Sequence, residues 1–74
     1  MVTTVVGVEI VESASNHGYE ETDILQALRN AMVVHDLDGY VMVVGPTTRG
    51  ELIEVAVNRR DEIFHAMRAR PRFL

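Results

Sequence analysis

The chain has 74 residues, is 47% apolar and 24% charged, and contains no cysteine. That length allows one small domain, that composition excludes a disordered or low-complexity chain, and without thiols there is neither a disulfide framework nor a zinc–thiolate site. The net charge of −4 argues against a generic nucleic-acid binder, but the charge is unevenly divided: residues 1–40 set seven acids against Arg29, whereas residues 41–74 set six arginines against four acids. No apolar run approaches the ~18 residues of a membrane span. Val2–Ile10 holds threonines and a glutamate without a basic leader, unlike a secretory signal. A cytoplasmic domain with no membrane association is expected.

In chain order, residues up to about Val6 read as strand or coil. A short helix follows over Val8–His17, with Ile10, Val11 and Ala14 on one side, Glu9, Glu12 and Asn16 on the other, and Gly18 as its stop. A strand through Val2–Ile10 is the competing reading, since valine and threonine dominate there. Ile24, Leu25, Leu28, Ala31 and Met32 then recur at helical spacing, with Glu20, Glu21 and Asp23 at the dipole's positive end, which predicts a helix from about Glu21 to Ala31.

The remainder reads as strands. Val33–Leu37 and Tyr40–Gly45 flank Asp38-Gly39, a pair suited to a type I′ hairpin. Leu52–Asn58 and Asp61–Met67 flank Arg59-Arg60, and Pro46–Gly50 is the loop between the hairpins. The expectation is an α+β domain in two layers, with one or two N-terminal helices packed on a four-stranded antiparallel sheet. Alternation puts Ile53, Val55 and Val57 on the helix-covered face and Glu54, Ala56 and Asn58 on the other. Met32, Met42 and Met67 read as core filling.

If Arg59-Arg60 is a two-residue turn, Asn58 pairs with Asp61 and Glu54 stands directly beside His65. A carboxylate beside an imidazole is either a tuned acid–base pair or an ordinary cross-strand charge pair. Arg68, Arg70 and Arg72 follow His65 at spacing two. They either grip a phosphate and the charge developing on it, or form a solvated tail. Arg49 reads first as an exposed turn residue. His17, His35 and His65 lie too far apart for metal-ligand spacing, so neither metal nor cofactor is expected.

Several runs together resemble the BrnT-type toxins, small bacterial proteins of RelE-like fold. They are His17-Gly18-Tyr19, the helix with Ile24 and Ala27-Leu28, Val41–Gly45, Arg49-Gly50-Glu51-Leu52-Ile53-Glu54-Val55, and Ile63 through Arg70. The resemblance implies an endoribonuclease that cleaves RNA without a metal and is neutralised by a cognate antitoxin protein. Arg68 and Arg70 match the Ala-Arg end motif, Arg49 matches the loop arginine, and His65 stands on the strand entering that motif. His65, Arg68, Arg70 and Glu54 are then the candidate catalytic residues. Arg49, Arg59, Arg60 and Arg72 are candidate RNA contacts. The alternative is a non-catalytic interaction module or small homodimer, or an inactive relative of the toxins.

Overall fold

The stripe of Ile24, Ala27 and Leu28 folds as the spacing predicts. In the computed structural model, which describes residues 2–5, 8–11 and 19–74, helix α1 spans Glu21–Arg29. Glu21 and Asp23 occupy its first turn and Arg29 its last, each complementing the helix dipole. The helix stops two residues short of Ala31 because Asn30 leaves helical geometry, and both its backbone N–H and its side-chain amide donate to Gln26 O.

Among the described residues six strands form one sheet: β1 (Val2–Val5), β2 (Val8–Val11), β3 (Val33–Leu37), β4 (Tyr40–Pro46), β5 (Leu52–Asn58) and β6 (Glu62–Arg68), in the order β1-β2-β6-β5-β4-β3. Strands β3 to β6 are the expected antiparallel meander, and the single described helix packs on it to give an α+β fold. The helix expected over Val8–His17 is corrected at its start. Val8–Val11 is strand β2, antiparallel to β1 and parallel to β6 through Glu9↔Glu62 and Ile10↔Ile63. Its three β-branched residues fit a pleated strand better than a helix, where χ1 is restricted. Residues 12–18 of that expectation lie outside the described residues.

Both hairpins differ from the expected turn chemistry. Asp38-Gly39 is a two-residue connection, since Leu37 pairs with Tyr40, but only Gly39 has positive φ (84°), so it is not type I′. The β5–β6 loop has three residues rather than two, closed by Asp61 N–H donating to Asn58 O at 3.1 Å, with Asp61 left-handed at φ 60°. Asn58 Oδ1 accepts from the N–H groups of Arg60 and Glu62 at 2.9 and 3.1 Å, and the Asn58 amide donates to Glu62 Oε1. A bulge at Phe64 follows, because Val57 pairs with Ile63 and Ala56 with His65.

Ile24 and Ala27 pack against Ile53, Val55, Ile63 and Ala66, with Tyr19, Leu28 and Val57 at the margin. This is the sheet face that alternation assigns to the helix. Each fully buried isoleucine contributes about 1.5–3 kcal/mol. Helix and sheet approach so closely that a Cβ on Gly45 would lie 2.1 Å from Ala27 O, so only glycine fits under that turn. The N-terminal turn of α1 is tied to the β4–β5 loop by Asp23, whose Oδ1 accepts from the Thr48 N–H at 3.2 Å and hydroxyl at 2.8 Å. Met42 is core, but Met32 is 66% exposed beside the start of β3, a correction to its reading as core filling.

Candidate functional site

On the sheet face away from α1, Glu54 projects from the middle of β5 and is completely buried. A carboxylate there would be stranded in apolar surroundings, were the chain after β6 not to turn back over it. Ala69 N–H donates to Leu52 O at 3.1 Å, and Arg70 then caps Glu54 through both backbone and side chain. The Arg70 N–H reaches Glu54 Oε1 at 2.9 Å, its Nε lies 3.0 and 3.1 Å from the two carboxylate oxygens, and Nη2 reaches Oε2 at 2.6 Å. His65, on β6, places Nε2 2.9 Å from Glu54 Oε2. An ionised carboxylate can only accept, so Nε2 carries the proton in that contact.

These bonds set the charge state of the cluster. Burial opposes ionisation of Glu54, but the side-chain and backbone hydrogen bonds of Arg70, that of His65, and the nearby guanidinium charge outweigh it and bring the carboxyl down to about 2 from an ordinary 4.5. Glu54 is therefore an anion at neutral pH, and the same pairing raises the Arg70 guanidinium further.

The segment that caps Glu54 continues across the sheet to β3. Pro71–Phe73 forms a single 3₁₀ turn, and the Phe73 carbonyl accepts from His35 Nε2 at 2.7 Å while the two rings meet edge to face at 5.5 Å. The guanidinium carbons of Arg70 and Arg72 lie 5.3 and 5.0 Å from the Phe73 ring centre, within cation–π range. Beside this segment opens a cleft of about 220 Å³ lined by Tyr40, Met42, Ala56, Phe64, His65 and Arg70. Tyr40 and Phe64 meet edge to face at 5.6 Å on its wall.

Three of the four candidate catalytic residues are thus together: Glu54, His65 and Arg70. The fourth is elsewhere. Arg68 pairs with Ile53, a helix-face residue, so the sheet separates it from His65. With Arg49 it neighbours Tyr19, whose hydroxyl donates to Glu51. Burial first, then that bond, push the Tyr19 phenol up, and the two arginines pull it back. Arg59 and Arg60 are exposed at the tip of the β5–β6 hairpin, Arg59 bordering a second cleft of about 300 Å³ with Asp36, Val41, Val57 and Asp61. Of the candidate RNA contacts only Arg72 lies on the segment that covers the Glu54 face. The sequence reading missed Tyr40, Phe64, His35 and Phe73. Phe64 reaches this face through the bulge, and the only hint of irregularity there is that Arg-Arg lacks a residue suited to positive φ.

Among the described residues no group of three or more His, Asp or Glu side chains could hold a metal ion, and no helix is long and apolar enough to cross a membrane. The site is defined by a histidine, a buried carboxylate and an arginine at the edge of an aromatic-walled cleft on an α+β sheet. No protein-family model, curated protein or solved structure matches the chain significantly.

Proposed function

We propose that the chain is a toxin-type endoribonuclease in the RelE-like manner, acting on RNA at the cleft beside His65 and restrained in the cell by a cognate antitoxin. The observation that carries this reading is the His65–Glu54 contact of 2.9 Å at the rim of a cleft walled by two aromatic rings. The imidazole of His65, oriented by its contact with Glu54, takes the proton from a ribose 2′-hydroxyl. The 2′-oxygen then bonds to the adjacent phosphorus as the bond from phosphorus to the 5′-oxygen breaks. A proton returned to that oxygen completes cleavage and leaves a cyclic phosphate.

In this reading Glu54 positions the imidazole, Arg70 positions Glu54, and Tyr40 and Phe64 give an unpaired base a surface to stack on. Arg72 is the cation placed to meet a flanking phosphate. A second reading, a non-catalytic interaction module, is favoured by Arg70 being committed to Glu54 and by the net charge of −4.

Controlled expression of the native chain and of His65→Ala in a bacterial host, with RNA from both cultures mapped for new 5′ ends, separates the two. Arrest and new ends with the native chain alone support the ribonuclease. Equal behaviour of the two folded proteins removes it.

A further inference from the structure

We infer that His35, on the outermost strand β3, is a positioning residue for the Glu54–His65 pair, acting through the C-terminal segment as a tether. The two histidines stand in one cross-strand row, His35–Met42–Ala56–His65. Three strand spacings, about 14 Å, separate them. The sheet itself carries no polar route between them, because Met42 and Ala56 fill the interval and both are buried. The connection runs overhead instead. His35 Nε2 donates to the Phe73 carbonyl at 2.7 Å, the Phe73 ring lies 5.3 Å from the Arg70 guanidinium, and Arg70 grips the carboxylate of Glu54 that holds His65.

This segment is built to transmit position. The Pro71 ring fixes its own φ, and the Phe73 N–H donates back to the Arg70 carbonyl at 2.9 Å, so residues 70–73 move as one short 3₁₀ unit. Beyond Ala69, the described hydrogen bonds fix that unit to the sheet at two places, Glu54 at the Arg70 end and His35 at the Phe73 end. Releasing the Phe73 end lets the unit turn about its other anchor. That anchor includes the Arg70 backbone N–H, 2.9 Å from Glu54 Oε1, so a turn of the unit withdraws a donor from a carboxylate with no solvent exposure. A buried anion that loses one donor must lean harder on the others or admit water. His65 Nε2, 2.9 Å from Oε2, is the other side-chain donor in reach, and its orientation changes with that adjustment. The tether exists whether or not the chain cleaves RNA, and its effect on a cleavage rate rests on the ribonuclease reading.

Amide hydrogen exchange of the full chain tests this, comparing the native protein with His35→Ala, His35→Gln and Asp36→Ala. Glutamine keeps an N–H donor at similar reach, and Asp36 lies on the same strand but the opposite face. In His35→Ala the Arg70 N–H should exchange about 2–10-fold faster, the effect of losing one hydrogen bond, while the amides of the central strand β5 keep their protection. His35→Gln should restore most of the Arg70 protection, and Asp36→Ala should leave it unchanged. If the native chain cleaves RNA, the rates should follow the same order. Arg70 exchange that is unmoved by His35→Ala, that moves only in step with β5, that glutamine does not restore, or that Asp36→Ala accelerates equally would overturn the inference. The expected exchange pattern in a native chain that cleaves no RNA would uphold the tether and remove the ribonuclease.

Discussion

Glu54 and His65 touch along a diagonal of the sheet, not directly across it: Glu54 stands opposite Met67, and His65 opposite Ala56. Two irregularities produce this. The β5–β6 turn is one residue longer than the shortest hairpin, and Phe64 adds one more as a bulge. Either alone would turn His65 to the helix face, because one residue of slip reverses every side chain of a strand. Together they amount to one full period of two, so the imidazole returns to the carboxylate's face one pair further along.

That compensation is open to a deletion test. Removing Phe64 alone leaves an odd slip and should disrupt either the Ile63 and Ala66 packing or the His65–Glu54 contact. Removing Arg60 and Phe64 together restores parity and should recover a cooperative melt. If the single deletion melts like the native chain, the bulge does not set the register.

Glu54→Gln keeps the shape of the buried side chain but removes its charge from the Arg70 fork. It should cost about 1–3 kcal/mol in denaturant unfolding. The loss should be strongly non-additive with that of Arg70→Ala, since each change removes the same contacts. Additive effects would mean that the two residues act separately.

The depressed carboxyl also fixes a pH dependence. Below its unfolded value near 4.5 the denatured chain takes up a proton on Glu54 that the native chain resists until about 2. Stability from this group is therefore complete above pH 4.5 and drains away as pH falls towards 2. Asp23 is lowered by its side-chain and backbone hydrogen bonds from Thr48 and acts in the same direction. Acid titration of the melting temperature should fall less steeply in Glu54→Gln, and a parallel curve would refute the assignment.

Gly45→Ala places a methyl group against the Ala27 carbonyl, a backbone atom that cannot swing aside. Separating α1 from β4 should cost at least about 1–3 kcal/mol. A Tm unchanged by this substitution would show that helix and sheet are not so close.

For the proposed ribonuclease, His65→Ala should lower the cleavage rate by about 10²–10⁴-fold. Arg68→Ala should leave it nearly unchanged, since Arg68 projects from the other face. The reverse ranking in a single-turnover assay would move the chemistry to the Arg49–Arg68 side.

Much of the architecture was legible because it rests on periodicity. The α1 stripe, the four strands of the meander and the faces of Ile53 and Glu54 all follow from repeats of 3.6 or 2. Val8–Val11 was misread because so short a β-branched segment satisfies both patterns. The contact of His65 with Glu54 was anticipated, but through a direct pairing that the turn and bulge replace. Arg68, Arg70 and Arg72 read as one cluster because spacing two puts them on one side of an extended chain. The chain instead turns after β6, leaving Arg68 on the helix face and Arg70 over Glu54. The hold of His35 on Phe73 joins positions 38 residues apart, and no local pattern encodes it.

The segment after β6 also has a bearing on synthesis. Strand β5 emerges from the ribosome carrying a carboxylate destined for the interior, but the residue that caps it follows sixteen positions later. Until Arg70 has been made, Glu54 must stay hydrated, and that face of the nascent sheet cannot close around it. Closure of that face thus waits until the segment carrying Arg70 has left the ribosome, and a chain exposed as far as β6 alone would hold its meander strands with the charged centre still open to water.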